Sequence, residues 1–134
     1  VQFDPAGSGT LYAGMAVKWS TVAGGAPKVV PSTAQADVVC GFVNFNIKDR
    51  SYAAGSYLEI SMAGNVIFLF ATAAINRGQQ VCSKPAAVAG GCNGGVVAVT
   101  GSSGYPIVGF SLDTVVAGQL CRIELYTPSG RVDS

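Results

Sequence analysis

The sequence predicts an all-β fold: a compact barrel-like or sandwich domain built from two similar β repeats, with extended terminal arms. Three observations carry that expectation. Val, Ile, Thr, Tyr and Phe are plentiful while long aliphatic helix formers are scarce. Eighteen glycines and six prolines punctuate 134 residues, as many short strands joined by turns require. Similar segments recur in the same order in the two halves.

Strands are expected where apolar or alternating runs are bounded by Gly, Pro, Asn or Ser: near 15–19, 28–30, 38–45, 56–62, 66–70, 81–84, 96–99, 107–112 and 120–126. The clearest hairpin joins Tyr57-Leu58-Glu59-Ile60-Ser61-Met62 to Val66-Ile67-Phe68-Leu69-Phe70 through Ala63-Gly64-Asn65, where Gly64 suits a tight primed turn. In its first strand Leu58, Ile60 and Met62 share one face, and Tyr57, Glu59 and Ser61 the other. The second strand is apolar on both faces, as if protein covered both, and another subunit could supply the second cover. In Leu120–Tyr126, Cys121, Ile123 and Leu125 are expected to point inward and Arg122 and Glu124 outward.

The repeat is the most informative feature. Ala13-Gly14-Met15-Ala16-Val17, then Val39-Cys40-Gly41-Phe42, then Ala54-Gly55-Ser56-Tyr57-Leu58-Glu59-Ile60 is answered by Arg77-Gly78-Gln79-Gln80-Val81, then Ile107-Val108-Gly109-Phe110, then Ala117-Gly118-Gln119-Leu120-Cys121-Arg122-Ile123. This divides the chain into an N-terminal arm (1–10), a β domain (11–126; repeats about 11–62 and 75–126) and a C-terminal tail (127–134) that is loose or follows the surface. Neither repeat can bury both its faces alone, so the two should pack into one core.

Composition narrows function by exclusion. Charged residues are only 11% of the chain, against an average near 25%, so much of the surface must be neutral. Eight basic and seven acidic residues form no basic cluster, which argues against nucleic acid as a partner. The longest apolar run, Val66–Ala71, is too short to span a membrane, and the amino end shows no secretory-signal pattern. With no histidine, the usual general base, metal ligand and pH switch are all missing, and neither a metal nor another cofactor is expected. Asp37, Asp49, Glu59, Asp113, Glu124, Ser83 and Lys84 could supply a carboxylate pair or a lysine-activated serine, but their spacing supports neither, so the chain is not expected to be an enzyme. Trp19, Tyr52, Tyr57, Tyr105 and Tyr126 are raw material for a sugar-stacking platform, and a secreted carbohydrate-binding or adhesin-like module is the alternative reading. Cys40, Cys82, Cys92 and Cys121 lack Cys-x-x-Cys spacing. A Cys82–Cys92 disulfide would staple the Ala/Gly-rich loop between them, and reduced, buried thiols acting as small hydrophobes are the other option.

The doubled pattern of Gly-x-x-Val, Val/Ile-x-Gly-Phe and Ala-Gly followed by an alternating strand, at Gly14, Gly41 and Gly55 and again at Gly78, Gly109 and Gly118, resembles the decoration (cement) proteins of tailed-phage capsids. The likeness spans about residues 10–126; the four cysteines and the insertion from Cys82 to Gly104 depart from the simplest members. The resemblance implies a non-catalytic virion protein made in the host cytoplasm. It would bind the major capsid protein on the outer surface of an icosahedral head, commonly as a trimer, and stabilise the head by bridging capsomers. Val1, Gln2, Phe3, Asp4 and Pro5 on the arm, together with Val66, Phe68 and Phe70, are the expected contacts with capsid or with other copies.

Overall fold

The computed structural model describes residues 1–7, 9–21, 25–32, 37–44, 51–84, 95–128 and 131–133. Among them the regular structure is all β: β1 (Gln2–Phe3), β2 (Leu11–Tyr12), β3 (Ala16–Trp19), β4 (Lys28–Pro31), β5 (Gly41–Val43), β6 (Ser51–Tyr52), β7 (Ile60–Ser61), β8 (Val66–Phe70), β9 (Gln80–Lys84), β10 (Gly95–Ala98), β11 (Ile107–Ser111) and β12 (Leu120–Leu125). One sheet runs β1-β4-β3-β5-β7 and a second β10-β9-β11-β12-β8, with β2 and β6 paired separately.

The two sheets repeat one another in register. Val17 faces Pro31 and Gly41 in the first, as Val81 faces Ala98 and Gly109 in the second. Phe42 lies between Ala16 and Ser61, as Phe110 lies between Gln80 and Glu124. Phe3 pairs in parallel with Val29, and Ala71 in parallel with Val96. These parallel pairings curl each sheet until its ends meet. The Phe3 N–H donates to the Ser56 carbonyl (2.8 Å) and the Asp4 N–H to that of Val29 (3.0 Å). Correspondingly, the Ala71 N–H donates to Gln119 and the Thr72 N–H to Val96, both at 2.9 Å.

The letters shared by the repeats have physical causes. A Cβ on Gly41 would stand 2.6 Å from the Ser61 carbonyl oxygen, and one on Gly109 only 2.1 Å from that of Glu124. The neighbouring strand of the same sheet therefore approaches more closely than any side chain allows. Gly55 and Gly118 close the Ala-Gly turns with φ of 91° and 86°, a region that only glycine occupies without strain.

Each repeat has an apolar centre. Phe3, Leu11, Val17, Val29, Cys40, Val43 and Leu58 cluster in the first. Leu69, Ala71, Ile75, Val81, Val96, Val108, Cys121, Ile123 and Leu125 cluster in the second, and Ala16, Val39 and Phe42 of the first repeat join them, so the second core also welds the repeats together. Cys121, Ile123 and Leu125 point inward as expected, and Arg122 is exposed.

Two local expectations are corrected, and for the tail one of the two alternatives is selected. Residues 2–3 are not part of a free arm: they form β1, and Phe3 is 0% exposed because it fills the first core. β1 is thus the counterpart, in the first repeat, of Phe70–Ala71 in the second. The turn at Gly64 forms, but β7 pairs with β5 while β8 pairs with β12, so it links the two sheets instead of closing a hairpin. The tail is tied down: Val132 pairs with Pro106, and the Ile107 N–H donates to the Arg131 carbonyl at 2.9 Å.

Two substitutions test this packing by urea unfolding. Phe3→Ala should cost about 3–5 kcal/mol, the value for truncating a core phenylalanine, whereas a residue on a free arm would cost almost nothing. Gly109→Ala should cost about 2–4 kcal/mol, because the obstacle to its methyl is backbone.

Candidate interaction surface

The most prominent apolar surface lies on β8 and β12. Along β8 the side chains alternate: Leu69 is buried, while Val66 and Phe68 are 50% and 53% exposed. Opposite them on β12 stand Glu124 and Arg122, and Leu120 stands opposite Phe70. Directly opposed residues share a face, so Val66, Phe68 and the exposed Leu120 form an apolar stripe bordered by one acid and one base. In β8, expected to be apolar on both faces, one face fills the core and the other meets solvent.

The remaining expected contact residues sit differently. Phe3 and Asp4 are buried, Gln2 is half-buried, and Val1 and Pro5 are exposed. Asp4 serves the fold: its carboxylate accepts the Ser20 hydroxyl at 2.6 Å and the Ala6 N–H at 2.9 Å, and these bonds hold its pKa below the ordinary carboxylate value.

Asp133, which sequence reasoning missed, is the most heavily bonded carboxylate described. It accepts the Ser103 hydroxyl (2.6 Å), the N–H groups of Thr100 (3.0 Å), Gly101 (2.6 Å) and Ser103 (3.4 Å), and the Thr100 hydroxyl (3.2 Å). Those bonds, the Ser103 hydroxyl first, lower its pKa strongly. It clasps the chain's end to the 100–103 turn. A tail with Pro128, Ser129 and Gly130 shows no apolar period, which is why it read as either loose or merely surface-following.

Asp113, Asp37 and Glu59 are also occupied. Asp113 receives a two-pronged bond from the Arg122 guanidinium (2.7 and 3.1 Å), which with the Arg122 N–H brings its pKa down to about 2. Lys18 Nζ lies 2.7 Å from Asp37, and Glu59 accepts from the Asn44 amide at 3.2 Å. Asp49 lies outside the described residues, and Ser83 is buried. No cluster of three or more Cys, Asp or Glu suited to a metal exists among the described residues. Burial raises the thiols of Cys40 and Cys82 to about 11, so neither is a ready nucleophile at neutral pH. Cys82 Sγ lies 3.7 Å from Asp133 Oδ2, whereas Cys92, its expected disulfide partner, is outside the described residues.

The aromatic residues are dispersed. Tyr57 is 75% exposed at an isolated bridge to Gln2, and Trp19, at the end of β3 in the phase of the buried Val17, is itself exposed. Phe110 and Tyr126 pack together, with ring centroids 5.9 Å apart. No known protein-family model matches this chain, and no curated protein matches it.

The clasp yields a pH prediction. A carboxylate whose folded pKa is depressed contributes stability that is complete above its unfolded value near 4 and is lost as pH falls through the folded value. The melting temperature of the wild type should therefore drop steadily below about pH 4. Asp133→Asn should start lower at neutral pH and show a flatter acid limb; parallel limbs would remove Asp133 from this role.

Proposed function

We propose that the chain is a virion structural protein that decorates the outer surface of an icosahedral phage head, binds the major capsid protein and works by adhesion without catalysis. The observation that carries this reading is the character of the surface. Large apolar side chains are exposed on both repeats (Trp19, Val38, Tyr57 and Met62 on the first; Val66, Phe68, Val116 and Leu120 on the second) in a chain with only 11% charged residues. Apolar surface on this scale suits burial against a partner. The two curled sheets are joined through the second core, and many modest contacts repeated over a symmetric shell add up to tight attachment.

Cosedimentation with expanded and unexpanded capsids tests the proposal. Saturable binding to expanded heads is expected, with higher heat resistance of the decorated particles. Tyr57→Asp/Val116→Asp, which changes only exposed side chains, should weaken binding by about tenfold or more. A folded wild-type chain that fails to cosediment at any concentration would overturn the proposal.

A further inference from the structure

We propose that β8 is a self-pairing edge: two copies of this chain join antiparallel through Val66–Phe68 about a twofold axis at Ile67. The case begins with backbone phase. Leu125 N–H donates to Asn65 and Ala71 N–H to Gln119, and the β8–β12 register between them is unbroken. The odd-numbered residues 65–71 therefore turn their polar groups toward β12, and Val66, Phe68 and Phe70 turn theirs to the opposite edge. At the Phe70 end that edge is occupied, since Ala71 pairs with Val96 and the Phe70 carbonyl lies against Gly95. Val66 and Phe68 have no strand beside them among the described residues. They present unpaired N–H and C=O groups flanked by exposed apolar side chains, the arrangement that recruits another strand.

A second copy of the same edge is the occupant that fits. With the axis at Ile67, Val66 meets Phe68 of the second copy and Phe68 meets its Val66, so every free N–H and C=O finds a partner. Shifting the axis to Phe68 would require the Phe70 groups already in use, and shifting it to Val66 would require Gly64, whose N–H is bonded to Leu125. The charges flanking the stripe agree with the same register, although Arg122 is already paired with Asp113 of its own chain. Glu124 stands beside Val66 and Arg122 beside Phe68, so each row across the joint would read Glu124, Val66, then Phe68 and Arg122 of the second copy, with unlike charges at its ends. Either shifted axis puts like charges there. The apolar stripe would then run continuously over both copies.

Sedimentation velocity from micromolar to near-millimolar chain tests this, with the fold followed by circular dichroism. The wild type should reach a two-chain mass. Phe68→Glu and Val66→Lys place the new charges beside Arg122 and Glu124 of their own chain, which the fold accepts, but each puts a charge against an apolar residue across the joint. Each should weaken association by at least about tenfold. The double variant V66K/F68E sets the introduced lysine of one copy opposite the introduced glutamate of the other and should restore association. A wild type that stays monomeric, a three-chain particle, or a folded double variant no better than the single ones would overturn the proposal. A capsid-binding result would leave this test unchanged.

Discussion

The structure depends on one strand position in each repeat, where a short segment is held by a parallel neighbour on one side and an antiparallel one on the other. In the first repeat Phe3 occupies it, bonded to Ser56 and paired with Val29; in the second it is Ala71, bonded to Gln119 and paired with Val96. Without that segment each sheet would be open at both ends, with unpaired backbone and an uncovered core. With it, the sheet curls shut around an apolar centre. Different side chains fill the same slot: Phe3 plugs the first core, whereas Ala71 leaves room for Leu69 and for Phe42 from the other repeat.

Closure determines what is left for function. Most of the described carboxylates are tied into the fold, Asp113 to Arg122, Asp37 to Lys18 and Asp133 to the 100–103 turn, so charge acts chiefly to fasten loops. Among the described residues, the features turned outward include apolar side chains on neutral surface and a short stretch of unpaired strand in β8. A binding role draws on both, the side chains toward a shell and the strand toward another copy.

Much of this architecture was legible in the sequence because period-two alternation and turn glycines act locally. All nine expected strands have a counterpart among the described elements, and Gly41 with Gly109 marked true equivalents because the paired neighbour strand presses its backbone on both. What escaped notice was non-local. β1, β2 and β6 are two residues each, too short for a period, and exist only because distant partners hold them. The Asp133 clasp is likewise a contact across some thirty residues that no spacing announces. The stripe on β8 was visible as a run apolar in both phases, but only the register with β12 shows which phase faces outward.

The central claim is that β1 is an integral closing strand equivalent to Phe70–Ala71, and amide hydrogen exchange followed by NMR tests it most directly. The amides of Phe3, Asp4 and Gly55 should be protected to the same order as those of Ala71, Thr72 and Gly118, their structural equivalents. Exchange at Phe3 and Asp4 at the rate of an unstructured peptide, with Ala71 and Thr72 still protected, would contradict it and return the N-terminal residues to the status of an arm.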